Sequence, residues 1–146
     1  MRKILLFVSL FFALNAMAQQ YVLPQPSVER YRLQISAKRF DLSAICVLKM
    51  DEEKTVRGSV VNEFGVHAFD FIVQPDRQRV KLLNVTGFLR KWYIKRTIRK
   101  DLLRMFQAQD CAINQPKWSL RCTENAVVYQ NLKYAIRYVW SPLNDN

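Results

Sequence analysis

The chain has 146 residues, half of them hydrophobic, with 23 Lys and Arg against 12 Asp and Glu. This length corresponds to one domain with a modest core and leaves no room for a cofactor domain beside a substrate domain. Because 24% of the residues are charged and only three Gly and five Pro occur, the composition excludes disordered, collagen-like and low-complexity proteins.

Residues 1–18 have the three parts of a secretory signal peptide. Met1-Arg2-Lys3 is cationic, residues 4–14 are almost entirely apolar, and Asn15-Ala16-Met17-Ala18 has the small-x-small pattern of a cleavage site. The apolar run is too short for a membrane-spanning helix, which needs about 20 residues. The residue directly after Ala18 is Gln19 and not Cys, so the lipid-bearing cysteine of a bacterial lipoprotein is missing at the cleavage site. We therefore expect a cleaved, strongly basic protein that is periplasmic or secreted.

The next part of the chain has the pattern of a lead-in followed by five strands. Residues 19–29 contain two prolines and no clear period, which predicts an extended lead-in. Apolar residues that alternate or are β-branched then predict strands at residues 31–37, 41–50, 55–61, 66–73 and 79–85. Asn62-Glu63-Phe64-Gly65 predicts the turn between the third and fourth strands. Sequential strands with short connections favour an antiparallel meander.

The period changes between Phe88 and Gln107, which contain no Gly or Pro between them. An apolar stripe at helical spacing predicts a helix packed on the sheet; the stripe consists of Ile94, Ile98, Leu102 and Met105. The opposite side is predicted to be cationic, with Arg90, Arg96, Lys100 and Arg104. Asp101 is the only acidic residue in this segment.

Alternation returns after Pro116 and predicts three more strands, at residues 118–123, 126–130 and 133–140. The sequence as a whole therefore predicts an α+β domain over residues 30–146, with an antiparallel sheet and one basic helix packed on it.

The residues that could support catalysis favour a binding protein over an enzyme. His67 is the only histidine, lies within a predicted strand and has no nucleophile-elbow sequence nearby, which favours a polar position on a sheet face. Asp70 is either a desolvated acid or a carboxyl that is hydrogen-bonded or exposed. The second interpretation is favoured because no other acid lies at a spacing in the sequence that suggests a partner carboxyl. No P-loop or dinucleotide-binding glycine pattern occurs. We expect neither an enzyme nor a cofactor.

Three cysteines remain after the signal peptide. Cys46 lies in an apolar strand-like segment and is predicted to be a buried thiol. Cys111 and Cys122 could form a disulfide or stay reduced, because spacing alone does not decide between these states. There is no Cys-x-x-Cys motif and the one histidine is distant, so we expect no metal site.

The predicted helix carries seven Lys and Arg with Trp92 and Tyr93 among them. Such a surface suits anionic lipid or another polyanion, with Arg90, Arg96, Lys100 and Arg104 as the contacting residues. A solvated face that only keeps the protein soluble explains the same charges, and both interpretations stay open. Nucleic acid leaves a similar compositional signature, but an exported protein meets lipid and envelope polyanions more readily, so we expect no nucleic-acid partner.

Three segments carry a family resemblance. They are Phe40-Asp41-Leu42-Ser43-Ala44-Ile45 leading into Val47-Leu48-Lys49, Asn62-Glu63-Phe64-Gly65-Val66 followed by Phe69-Asp70-Phe71, and Arg99-Lys100-Asp101-Leu102-Leu103. Through them, residues 37–104 resemble a family of small exported proteins of the Bacteroidetes associated with the lipoprotein-localisation-factor (Lol-like) half-barrel. The resemblance implies a curved antiparallel sheet whose concave face is closed by a helix and can hold an acyl chain. It implies no catalytic residues.

The chain differs from this family pattern in two places. Ala44 stands where Gly is usual, and relatives continue beyond the position of Asn146 with further strands. The concave face of a shortened sheet could close onto the apolar stripe of the helix or keep a groove. We expect a groove, because the aromatic surface predicted to line it exceeds what one helix stripe covers; the lining residues are Phe69, Phe71, Tyr134 and Tyr138.

These patterns lead to three functional hypotheses. The first is a non-enzymatic binding or carrier protein for a lipid or acyl-bearing ligand in the bacterial cell envelope. The second is an interaction protein whose basic helix docks on an anionic membrane surface or partner. The third, a hydrolase that uses Asp70, ranks last. The sequence does not indicate an oligomeric state.

Overall fold

The computed structural model describes residues 20–143. The signal peptide predicted for residues 1–18 lies outside the described residues. The described chain forms nine strands, which are β1 (Arg30–Ala37), β2 (Phe40–Met50), β3 (Val56–Asn62), β4 (His67–Val73), β5 (Val80–Leu83), β6 (Ala112–Asn114), β7 (Trp118–Cys122), β8 (Val127–Asn131) and β9 (Ile136–Pro142). One α-helix, α1 (Trp92–Gln107), follows a 3₁₀ turn (Gly87–Arg90). The predicted α+β class is confirmed.

All nine strands belong to one antiparallel sheet with the order β5-β4-β3-β2-β1-β9-β8-β7-β6. The chain forms a first meander from β1 to β5, continues through α1, and forms a second meander from β6 to β9. The two meanders join where β1 pairs with β9, with Leu33 opposite Trp140 and Ile35 opposite Tyr138. The sheet is curved and does not close into a barrel, and α1 packs on it.

The predicted strands and helix agree with the observed elements to within a few residues, with three differences. β6 was not predicted, because a strand of three residues is too short to show a period. β9 begins at Ile136, since the preceding residues form a turn in which Ala135 has a positive φ of 53°. The predicted helix is interrupted at Lys91, whose extended ψ of 132° separates the 3₁₀ turn from α1.

Two local predictions concern the turn at Asn62 and the cysteines. The Asn62 side chain accepts hydrogen bonds from the backbone N–H groups of Phe64 and Val66 at 3.0 and 2.8 Å, which confirms the turn. Cys111 and Cys122 form a disulfide between the start of β6 and the end of β7. Cys46 is a buried thiol, as predicted, and burial raises its pKa far above the ordinary range.

One end of the concave face is filled with large side chains, and we call it the packed end. Trp140 is fully buried there, and its indole N–H donates to the sulfur of Met105 on α1 at 3.1 Å. Its ring centroid lies 5.9 Å from that of Phe106, which in turn lies 5.5 Å from that of Phe71. Gly58 is required opposite Phe71, because a Cβ at that position would overlap the ring.

The packed end is also held by the lead-in and by a buried arginine. The Arg77 guanidinium donates through Nη1 to the carbonyl oxygens of Leu23 and Phe106 at 3.0 and 2.7 Å. The Gln107 side chain donates to the carbonyl of Arg77 at 2.7 Å. The Val22 N–H donates to the carbonyl of Ala108. The lead-in, the β4–β5 turn and the last turn of α1 are therefore fastened together.

Candidate functional site

The other end of the concave face keeps a cavity of about 540 Å³ between the sheet, the 3₁₀ turn and α1, and we call it the open end. This volume lies within the usual range of small-molecule sites, about 300–1,000 Å³. Most of its lining is apolar, and that part consists of Ile35, Ala37, Phe40, Leu42, Phe69, Phe88, Leu89, Trp92, Tyr93, Ile94, Ile98, Tyr134, Ile136 and Tyr138.

The division between the two ends runs across β1. Every second side chain of this strand points to the concave face, so Leu33 and Ile35 are both buried on it. Leu33 lies opposite Trp140, whose indole reaches α1, whereas Ile35 lies opposite Tyr138 and lines the cavity. The groove expected from the sequence is therefore present.

Three of the four predicted lining residues line this cavity, and the fourth does not. Phe69 and Tyr138 are almost fully buried in its floor, and Tyr134 lies half exposed at its mouth. Phe71 lies outside the lining, which corrects the prediction. It is two residues nearer the end of β4 and fills the space between Gly58 and Phe106 at the packed end.

The polar part of the lining contains five cations and no Asp or Glu. Arg96, Lys100 and Arg104 follow one another at intervals of four along α1, while Lys117 and Lys133 come from the β6–β7 and β8–β9 connections. The sequence placed the three helix residues opposite the apolar stripe, whereas in the structure they line the same cavity as Ile94 and Ile98 of that stripe. Arg90 lies in the 3₁₀ turn, is exposed, and is not part of the lining.

Arg104 contacts two neighbouring aromatic side chains, whereas Lys133 lies over one ring, that of Tyr134, at 5.1 Å. The Arg104 guanidinium lies 5.7 Å from the centre of the Trp118 ring, and Nη1 lies 3.4 Å from the Tyr129 hydroxyl. The Trp118 and Tyr129 rings are themselves stacked with centroids 5.7 Å apart. This side chain therefore has less conformational freedom than an isolated arginine.

Asp101 is fully buried beside the cavity and was not identified from the sequence. Its Oδ1 accepts hydrogen bonds from the Tyr129 hydroxyl at 2.8 Å and from the Asn131 amide at 2.9 Å, and its Oδ2 accepts one from the Tyr138 hydroxyl at 2.7 Å. Burial raises the pKa of this carboxyl, and the three hydrogen bonds only partly oppose the rise. Asp101 ties α1 to β8 and β9, and thereby fixes two lining residues, Asn131 and Tyr138.

Asp70 and His67 are hydrogen-bonded to each other outside the cavity lining. A bulge between Val60 and Val61 places both side chains on the same side, with His67 Nε2 at 2.7 Å from Asp70 Oδ1. Burial raises the pKa of Asp70, but hydrogen bonds from Asn84, His67 and Ser59 outweigh it and leave the pKa below the ordinary range. The prediction of a hydrogen-bonded carboxyl is confirmed. A carboxyl held ionised in this way is poorly suited to act as a general acid.

Aromatic side chains that are at least half exposed surround the mouth of the cavity, and we call them the aromatic rim. The rim consists of Phe88, Trp92, Tyr93 and Tyr134. The non-lining cations Arg90, Lys91 and Lys95 lie beside it in sequence. Exposed aromatic residues next to cations are typical of surfaces that meet a membrane interface.

Neither a family model, nor a curated protein, nor a solved structure matches this chain. Within residues 20–143, no helix has the length and apolar character needed to cross a membrane. The same part of the chain contains no group of three or more His, Cys, Asp or Glu residues that could hold a metal ion.

Proposed function

We propose that this protein is an exported, non-enzymatic binding or carrier protein for a lipid or acyl-bearing ligand in the bacterial cell envelope. The observation that carries the proposal is the cavity of about 540 Å³ with its largely apolar lining. A pocket of this size and composition suits an extended hydrocarbon chain. The signal-peptide pattern and the resemblance to the Lol-like half-barrel family support the same function.

The energetics favour a long chain over a short one. Each buried methylene contributes about 0.8 kcal/mol, so ten of them contribute roughly 8 kcal/mol. Association costs about 4–15 kcal/mol in lost freedom of the two partners. A ligand with only a few methylenes therefore does not offset this cost by apolar burial alone, whereas a long acyl chain offsets much of it.

The test is native mass spectrometry of the exported protein together with displacement of a fluorescent fatty acid. Ile136→Trp adds a large side chain to the cavity lining, so we expect it to abolish saturable probe binding. The matched control is Ile45→Trp, which makes the same change on the exposed side of β2 and should bind like the wild type. No copurifying lipid and no saturable binding by the wild type would remove the proposal.

A second function, docking on an anionic membrane surface, is favoured by the aromatic rim and the cations beside it. The change Arg90→Glu with Lys95→Glu alters cations that do not line the cavity. Each cation near a membrane surface contributes about 1 kcal/mol, so the loss of two weakens vesicle binding by roughly 30-fold, and the two added negative charges should weaken it further. Co-sedimentation with anionic and with zwitterionic vesicles, at low and high salt, measures the effect. Salt-insensitive binding, or none, would contradict docking.

A further inference from the structure

We infer that the ligand's head group is anionic and lies at one end of the cavity, among Lys100, Arg104, Lys117 and Lys133. The acyl chain extends from there toward Phe40 and Phe88. This inference rests on the proposed acyl-ligand function and adds to it a head-group class and an orientation.

The first argument is the polarity of the cavity along α1. Trp92 and Arg104 both line it and are twelve residues apart, which corresponds to about 18 Å along a helix. At the Trp92 end the lining is apolar, and the rings of Phe40 and Phe88 contact each other with their centroids 5.0 Å apart. At the Arg104 end, Lys117 and the residues after β8 supply polar and cationic groups. An amphiphile therefore fits this cavity in one orientation, with its apolar chain at the Trp92 end and its polar head group at the Arg104 end.

The second argument is that no ion pair of the described residues neutralises these cations, although Asp101 lies near enough to Arg104 to interact with it electrostatically. Among residues 20–143, none of the five lining cations forms an ion pair. The nearby carboxylate of Asp101 is fully buried, and both of its oxygens accept hydrogen bonds from Tyr129, Tyr138 and Asn131. Like charges around a partly enclosed apolar space produce a positive potential, which an anionic group would neutralise.

The third argument is the preorganisation of Arg104. A cation–π contact with Trp118 and a hydrogen bond to the Tyr129 hydroxyl hold the guanidinium before any ligand arrives. The contact with Tyr129 is its only side-chain hydrogen bond within the described residues and uses Nη1 alone. The other N–H groups of the fork can bind a carboxylate or a phosphate, and little further ordering is needed.

A carboxylate and a phosphate ester share the negative charge and acceptor oxygens that these cations recognise. The experiment therefore compares different head groups on the same hexadecyl chain. Hexadecanoate, hexadecyl phosphate, hexadecanol and hexadecyltrimethylammonium compete with a fluorescent fatty acid below their micelle concentrations, and inorganic phosphate is a fifth competitor. We expect both anions to bind at least about tenfold more tightly than hexadecanol, as charge-assisted hydrogen bonds do. The trimethylammonium compound should bind most weakly. The stronger of the two anions then identifies the head-group chemistry.

The variant that tests the location is Lys117→Gln with Lys133→Gln, two exposed residues whose change leaves the core intact. We expect it to reduce the preference for anions and to leave hexadecanol binding unchanged. The matched control, Lys49→Gln with Lys81→Gln, removes the same charge away from the cavity and should keep the preference. Arg104→Gln is a second lining variant, with thermal melting as its folding check.

The outcomes separate the two proposals. Equal binding of all four hexadecyl compounds would overturn the anionic head group and leave the acyl-binding function standing. Failure of all four to bind would remove the proposed function itself. Displacement of the probe by inorganic phosphate as strong as that by hexadecyl phosphate would also overturn the inference, because it would identify a site for a free anion.

Discussion

The packed end and the open end of the concave face are built on the same strands and the same helix. At the packed end, Trp140, Phe106 and Phe71 fill the space between the sheet and α1. At the open end, the facing residues include Ile35, Ile98 and Ile136, and the cavity remains between them. Because close packing stabilises a core, we expect the packed end to contribute most of the stability, whereas the open end keeps an unfilled cavity.

The buried carboxylate of Asp101 lies at the boundary between the two ends. It lies on α1 between Ile98, which lines the cavity, and Met105, which contacts Trp140. Its three hydrogen bonds fasten the helix to β8 and β9 at this point. The helix is therefore fixed against the sheet between a residue of the cavity lining and a residue of the packed end.

The largest expected effect comes from emptying the packed end. Trp140→Ala removes a fully buried indole together with its contacts to Met105 and Phe106, and should lower the free energy of unfolding by about 3–5 kcal/mol. Urea denaturation measures the loss. Acyl binding by the fraction that remains folded should change much less. A loss below that of an ordinary surface substitution would show that the packed end does not carry the stability.

The next largest effect comes from removing the Asp101 carboxylate. Asp101→Ala leaves Tyr129, Tyr138 and Asn131 without their shared acceptor, and should cost roughly 3 kcal/mol of unfolding free energy. Asp101→Asn keeps the shape and an acceptor oxygen and should cost less. The alanine variant should also weaken probe binding, since two of the stranded partners line the cavity.

The Asp101 carboxyl should also make the unfolding free energy depend on pH in a definite direction. Its folded-state pKa is raised, so its ionisation opposes folding. The wild-type unfolding free energy should fall as pH rises from the ordinary carboxyl range through the raised pKa, and Asp101→Asn should lack this fall. Asp70 acts in the opposite direction, because its pKa is lowered and its contribution is lost on acidification. Identical pH profiles for the wild type and Asp101→Asn would contradict the assignment.

The smallest effect, and the sharpest comparison, comes from adding volume at each end. Gly58→Ala forces a methyl group into the Phe71 ring at the packed end and should cost about 1–3 kcal/mol. Ile136→Trp adds more volume at the open end and should change stability by less than about 1.5 kcal/mol, because the cavity accommodates it. Thermal denaturation of both variants measures the difference. Equal destabilisation would mean that the cavity is not free space.

The sequence predicted the elements better than it predicted the site. Alternation and helical spacing identified most of the elements because these periods are local properties of the chain. Phe69 and Phe71 have the same period and composition, yet one lines the cavity and the other fills the core. Their difference depends on where α1 crosses the sheet, which no local pattern contains.

The surroundings of Asp101 and Arg104 were not predicted from the sequence, for different reasons. The spacing of Asp101, three residues after Ile98 and four before Met105, places it on the apolar stripe, so its burial was readable from the sequence. Asp101 was noted only as the one acidic residue of the segment, and no role was predicted for it. The contacts of Arg104 with Trp118 and Tyr129 join residues distant in the chain, and only the folded structure brings them together.

The pairing of β1 with β9 joins the beginning of the described chain to its end. Until the residues of β9 are present, one edge of β1 has unpaired backbone groups, and Leu33 and Ile35 lack their neighbours Trp140 and Tyr138. Contacts so far apart in sequence form slowly, since a long loop must close first. A chain passing from its amino end through a narrow channel would therefore complete its sheet, and with it the cavity, only after its last strand had emerged.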